Sequence, residues 1–229
     1  PNDADRPKSG LNEYSGEWTK QEAKHLLNTI SFGAKKSEID LYTLIGKTLA
    51  VEKVLIDLPP ALPPLTIHAY GGDTENLPWH LNRKANQENR VKSLKAWMVK
   101  NMLEQEVSIG EKMLLFWHNH FATSCNTVGD ARFSYEYIEL LRKHALGNFK
   151  TLTKAISTNA AMLKYLSGDQ NVKGSPNENY ARELLELFTL GPEDRNGNPN
   201  YTETDVEEAA KVLTGWQTNH QGNGTFLSP

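Results

Sequence analysis

The sequence predicts an all-α fold, a compact assembly of about ten helices with no significant sheet and one proline-rich irregular arm. Three observations carry this. Apolar residues recur at helical spacing in almost every segment, helix-start and helix-stop residues bracket those segments, and period-two alternation is nearly absent. With 229 residues, 38% of them hydrophobic and 23% charged, the chain can bury one sizeable core or two small ones. The organisation expected is a polar tail over 1–17, a single helical domain over 18–216 with its arm at about 58–84, and a flexible tail over 217–229.

Taken in order, Thr19 with Glu22 forms a capping box for a helix in which Ala23, Leu26, Leu27 and Ile30 share a face, and Gly33 stops it. Ser37 caps a short helix from Glu38 to about Gly46, and another runs from Thr48 to Asp57. The run Leu58-Pro59-Pro60-Ala61-Leu62-Pro63-Pro64 cannot continue a helix and opens the arm. A long helix from Gln87 to Gln105 follows, with Val91, Leu94, Met98 and Met102 along one side. Ser108 and Glu111 cap the next, and the small polar stretch Ala122 to Gly129 reads as a loop after it. Further helices are expected from Asp130 to Ala145, Phe149 to Thr158, Ala160 to Ser167, Pro176 to Leu190 and Glu203 to Thr214.

Charge and cysteine usage narrow the function. A net charge of -3 and a pI near 6.2, with scattered lysines, give no basic field for a phosphate backbone, so nucleic acid is not an expected partner. The single Cys125 excludes an internal disulfide and any cysteine-rich zinc or iron–sulfur centre. No apolar run approaches the ~20 residues of a membrane-spanning helix, and Pro1 to Gly10 is polar; if the protein is exported, its signal is expected to have been removed already.

Two polar side chains interrupt apolar helical faces. Winding at about 100° per residue puts Ile109, Met113, Phe116 and His120 on one face and turns His118 to the opposite side. His118 and His120 could grip one metal only if the helix ended near Asn119; otherwise His120 bonds a backbone carbonyl, while His118 sits exposed near a helix C-terminus. In the segment after Ser175, expected as N-cap with Pro176 first in the helix and Glu178 completing a capping box, the core face is Tyr180, Ala181, Leu184, Leu187 and Phe188. Glu178, Arg182 and Glu186 form an outer ladder, and Glu183, bracketed by Leu187 and Leu190, is expected half-buried. A carboxylate there serves either proton transfer or the stitching of two helices by hydrogen bonds. Thr202 or Thr204 caps a last helix with Val206, Ala209, Ala210 and Leu213 inward; Gly215 ends it and Trp216 stands as a cleft wall or a core residue.

The order Phe116-Trp117-His118-Asn119-His120-Phe121, then His144-Ala145-Leu146-Gly147-Asn148-Phe149, Pro176 to Gly191 and Tyr201 to Trp216 closely resembles the bacterial family catalogued as domain of unknown function 1800. The resemblance runs from about Trp18 to the C-terminus. It implies an exported protein of the bacterial envelope, periplasmic or extracellular, since members are often exported and often encoded beside a family resembling alkaline phosphatase or sulfatase relatives. It also implies a longer domain, with a further His-Asp segment that has no counterpart before Pro229, so part of a composite site is expected to be missing. His220 in the Gly- and Asn-rich tail is the only late imidazole and reads as a loop residue.

Two functions follow as expectations. In a hydrolase, metal-assisted where a divalent cation is held by His118, His120 and Glu183, the catalytic groups are His120, Glu183 and Arg182, and a small polar ligand meets Asn177, Asn179 and Trp216. In a non-catalytic binding or assembly module, the arm and the aromatics Trp79 and Trp216 contact an envelope protein. Reach between His120 and Glu183 discriminates the two.

Overall fold

Residues 13–55, 83–218 and 225–227 are described by the computed structural model. Among them the chain is all-α apart from one short ribbon: α1 (Lys20–Ile30), α2 (Lys36–Leu44), α3 (Gly46–Val54), α4 (Arg83–Glu104), α5 (Gly110–His120), α6 (Cys125–Val128), α7 (Ala131–Lys143), α8 (Phe149–Ser157), α9 (Ala160–Tyr165), α10 (Glu178–Glu183) and α11 (Glu203–Val212). Strands β1 (Trp216–Thr218) and β2 (Thr225–Leu227) pair antiparallel, Gln217 opposite Phe226, where the sequence suggested a loose tail. The proline-rich arm and Trp79 lie outside the described residues, as does His220; the last two residues assigned to the arm, Arg83 and Lys84, are the first of α4.

Local chemistry sets the boundaries. The Thr19–Glu22 capping box opens α1 as expected. In α2 the cap is not Ser37: the helix begins at Lys36, and the Glu38 carboxylate accepts the Lys35 N–H at 2.7 Å. Gly46 at φ +79° makes the joint to α3, a conformation that a Cβ would oppose. Inside the stretch read as a loop, α6 forms one turn and ends at Gly129, φ +70°. Asp130, Asn148 and Asn159 each accept N–H groups at the starts of α7, α8 and α9.

Three clusters make the core. The largest gathers Leu94, Trp97, Leu114, Phe121, Phe133, Tyr137, Leu141, Leu152, Ile156 and Tyr180 among others from α4 to α10. A second holds α1, α2 and α3 together through Leu27, Ile30, Tyr42 and Val54, and joins α5 where the Ile109 N–H donates to the Val54 carbonyl at 2.9 Å. A third, of Ala181, Val206 and Ala210, packs α10 on α11 with small side chains that permit close approach. Two faces are rotated from the sequence reading. In α4 the buried side chains are Arg90, Leu94 and Trp97 rather than the methionine side. In α5 they are Gly110, Glu111 and Leu114, with Trp117 and His118 half-buried and Phe116 exposed. Ser108 does accept the Gly110 N–H, but Glu111 leaves the cap and goes into the core.

Gly168, after Ser167 at φ +57°, is where the chain passes closest to α10: a Cβ there would lie 2.7 Å from Tyr180 and 2.8 Å from Leu163. Both neighbours are fully buried and cannot retreat. Gly168→Ala should therefore cost about 1–3 kcal/mol in urea denaturation, the range for overpacking a filled core; an unchanged midpoint would contradict this packing.

Candidate functional site

The C-terminal end of α5 is where the most chemistry collects, and the backbone downstream of α10 explains why. After α10 the helix widens into a π-helical segment, Leu184–Thr189, in which the Leu190 N–H reaches back five residues to the Leu185 carbonyl at 2.9 Å. The carbonyl of Phe188 would find its α-helical donor four residues on, at Pro192, which has no N–H. His120 supplies the missing donor: its Nε2 lies 2.9 Å from the Phe188 oxygen. A carbonyl only accepts, so Nε2 carries the hydrogen, and in the neutral ring Nδ1 keeps its lone pair. The Leu190 and Gly191 carbonyls at the same helix end are met by the Asn200 amide at 2.8 and 3.1 Å.

Aromatic rings surround His120. Phe121 and Phe149 stand edge-on to it at 4.6 and 5.9 Å between centroids, and Trp117 at 5.9 Å. Trp117 is anchored by its Nε1–H to the Ala145 carbonyl at 2.9 Å and stacks on Phe149 at 5.7 Å. The rim is open: Phe116 is 55% exposed and Phe149 39%, while Leu187 and Leu190, on either side of buried Phe188 in sequence, are 59% and 53% exposed. His118 points elsewhere, its ring edge-on to Tyr137 of α7 at 5.7 Å, and burial pushes its pKa down. It is therefore not the exposed helix-end cation of the sequence reading. The Tyr137 hydroxyl in turn donates to the Phe121 carbonyl.

The remaining candidates do not converge on His120. Glu183 is half-buried at the junction of α10 and the π-helical segment, and no hydrogen bond joins it to His120 among the described residues. Arg182 forks onto Glu203 at 2.9 and 2.6 Å and approaches Glu178 at 3.5 Å, a partly exposed network in which Glu178 is the expected outer-ladder partner. Glu186 accepts the Tyr201 hydroxyl at 3.1 Å. Asn177, not Ser175, is the N-cap of α10: its side chain accepts the Asn179 N–H at 3.0 Å and donates to the Ser167 carbonyl at 3.3 Å, and Pro176 precedes the helix. Asn179 donates its amide to the Leu166 carbonyl at 3.0 Å. Trp216 is in β1, half-buried against the main core. Among the described residues no three His, Cys, Asp or Glu side chains gather as a group able to hold a metal ion, so His118, His120 and Glu183 are not brought together as ligands.

Sequence reasoning passed over two organising residues. Buried Asn171 donates to the Ala210 carbonyl at 2.7 Å, accepts from the Asn177 N–H at 3.1 Å and the Thr214 hydroxyl at 3.0 Å, and offers its own carbonyl to the Gly215 N–H at 2.9 Å. It ties the start of α10 to the end of α11. Glu111, read as a cap, pairs with Arg142 of α7 inside the core. The one signal for the first was an Asn in a short polar connection; for the second it was a glutamate spaced three residues before Leu114.

These features define an all-helical domain with an open aromatic rim around a carbonyl-bound histidine. A family model described as "Protein of unknown function (DUF1800)" matches residues 25–228, and the chain belongs to that family. Neither curated proteins nor solved structures give a match.

His120→Ala should cost about 1–3 kcal/mol, because it strands the Phe188 carbonyl. Glu183→Leu should be neutral or stabilising, since it restores an apolar edge without breaking a hydrogen bond among the described residues. Chemical denaturation of the two variants side by side checks both, and a large loss in Glu183→Leu would mark Glu183 as a hidden hub.

Proposed function

We propose that this domain is a non-catalytic binding or assembly module that seats a partner protein of the bacterial envelope on the aromatic rim around His120. The supporting observation is the pairing of exposed rings with a rigid base: Phe149 is 39% exposed yet stacked on Trp117, whose indole is anchored to Ala145. Preorganised, half-exposed aromatics are the residues on which binding energy concentrates, because little side-chain freedom is lost on contact. Most of the groups a hydrolase would need are already engaged, Arg182 by Glu203, Asn177 and Asn179 by backbone carbonyls and His120 by Phe188, and no hydrogen bond among the described residues brings Glu183 to His120. The envelope or extracellular setting rests on the family resemblance, with an apolar protein segment as the ligand chemistry.

One observation favours a hydrolase as the second reading. The bond to the Phe188 carbonyl fixes the His120 tautomer and orients the ring, the role a carboxylate or carbonyl plays behind a general base or a metal-bound imidazole, and Nδ1 is the nitrogen left to act. A divalent cation would then need ligands beyond the described set.

A photo-reactive amino acid placed at Phe149 in host cells tests the module. A single dominant adduct that disappears with Phe116→Asp is the expected result, and no adduct overturns the proposal. Hydrolysis of a generic ester or phosphate substrate that is lost in His120→Gln, with metal found in protein purified without chelator, would establish the second reading in its place.

A further inference from the structure

Beside the aromatic rim stands a carboxylate that the fold leaves uncommitted. Glu183 is four residues before Leu187, and residues four apart remain neighbours whether the backbone winds as an α-helix or widens as it does here, so the two share one outward strip. Leu187 and, in the next turn, Leu190 are largely exposed, and Phe188 between them in sequence is the residue whose carbonyl His120 holds. Glu183 itself is half-buried, and among the described residues it makes no hydrogen bond or ion pair.

The surrounding charges single this carboxylate out. Residues 178–208 hold nine of the chain's 28 Asp and Glu side chains but only two of its 25 Lys and Arg, Arg182 and Arg195. Seven of the nine are exposed, where water solvates a carboxylate without help. Of the two that are half-buried, Glu186 accepts the Tyr201 hydroxyl and Glu183 is left without a partner among the described residues. Arg182, next to it in sequence, is forked onto Glu203 and approaches Glu178, and Lys211 of α11 is paired with Glu208. On the other bank of the rim Lys112 lies over the Phe32 ring, and Lys150, beside Phe149, is exposed.

An apolar segment that covers the rings and Leu187 covers Glu183 with them. If it brought no cation, it would remove the water that still solvates that carboxylate and leave the charge bare, the outcome that burial of an unpaired charge penalises most. We propose that the partner segment seated on the rim is amphipathic and cationic, its apolar side chains meeting Phe116, Phe149 and Leu187 and one of its Lys or Arg side chains pairing with Glu183. This rests on the binding-module reading and adds to it the charge of the partner. Glu183 then acts as a specificity element, rejecting neutral or acidic segments that the rings alone would accept. The acidic stretch behind it attracts a cationic segment and turns its charged side toward α10.

The photo-reactive residue at Phe149 supplies the test, with the adduct digested and the captured partner segment sequenced by mass spectrometry. Expected is a segment of net positive charge that carries a Lys or Arg close in sequence to its apolar residues. The adduct yield should fall about tenfold or more in Glu183→Lys and severalfold in Glu183→Gln. It should change little in Glu208→Lys, which makes the same charge change on exposed α11. A neutral or acidic segment, a yield undiminished in Glu183→Lys, or an equal loss in Glu208→Lys overturns the proposal, and the rim reading stands if Phe116→Asp still abolishes capture. A dimer-sized adduct would make the occupant a second copy of this chain and overturn it too. No adduct at all, or one indifferent to Phe116→Asp, overturns both. Should Glu183→Lys not fold, Glu183→Gln decides alone: a severalfold loss supports the pairing and an unchanged yield refutes it.

Discussion

One ion pair, Glu111 with Arg142, sets where the rest of the molecule can stand. Glu111 is in the first turn of α5 and Arg142 in the last turn of α7, so the contact fixes both the distance and the rotation of the helix that carries His118 and His120. Removing one partner of such a pair leaves a bare buried charge, worth about 3–5 kcal/mol against the fold, which makes the register of α5 on α7 expensive to change. With Glu111 inward, Leu114, Trp117, His118 and Phe121 must follow it by helical spacing, and Phe116 must turn out. The exposed ring that the proposed binding surface needs is thus a geometric consequence of a charge placed five residues before it.

The second constraint is the satisfaction of backbone groups at helix ends. Pro192 deprives Phe188 of its donor, and three of the polar residues that looked like a site do that kind of work, His120 for Phe188, Asn179 for Leu166 and Asn177 for Ser167, as does Asn200 for Leu190 and Gly191. A buried carbonyl left without a donor costs about 1–3 kcal/mol, and the part-buried carbonyls of Phe188, Leu166 and Ser167 lose a share of that when their donors are removed. This is a sufficient reason for those residue types at those positions without any reaction.

Helix existence was legible in the sequence because caps and periodicity act within a few residues: the Thr19–Glu22 box, the Thr202 cap and the breaks at Gly33 and Gly191 all have local causes, whereas the single turn of α6 lay inside a stretch read as a loop. Rotation about the helix axis was less so. Reading α5 from its apolar residues alone placed Met113 and Phe116 inward, whereas the buried pair with Arg142 turns the helix by about one residue, an effect of a partner distant in sequence. The same blindness hid Asn171, whose four bonds reach residues up to 44 positions away. Glu183 was placed correctly as half-buried by its leucine neighbours, but its partnership with His120 was not something helical spacing could decide, and no hydrogen bond supplies it. The orphan carbonyl of Phe188 was readable in advance from Pro192 alone; what could not be read was which donor would come to it.

The π-helical segment joins these strands of argument. Widening a helix by one residue costs hydrogen-bond quality and is tolerated where something is gained. Here it carries the Phe188 carbonyl to His120 while Phe188 itself stays in the core and Leu187 and Leu190 face outward beside it in sequence. In the α-helix expected from Pro176 to Leu190, the turn around Phe188 would be narrower and each side chain beyond the insertion would be rotated by about 100°. The fixed tautomer of His120 and the exposed leucines thus depend on one backbone irregularity, placed where the chain must end its helix ahead of Pro192.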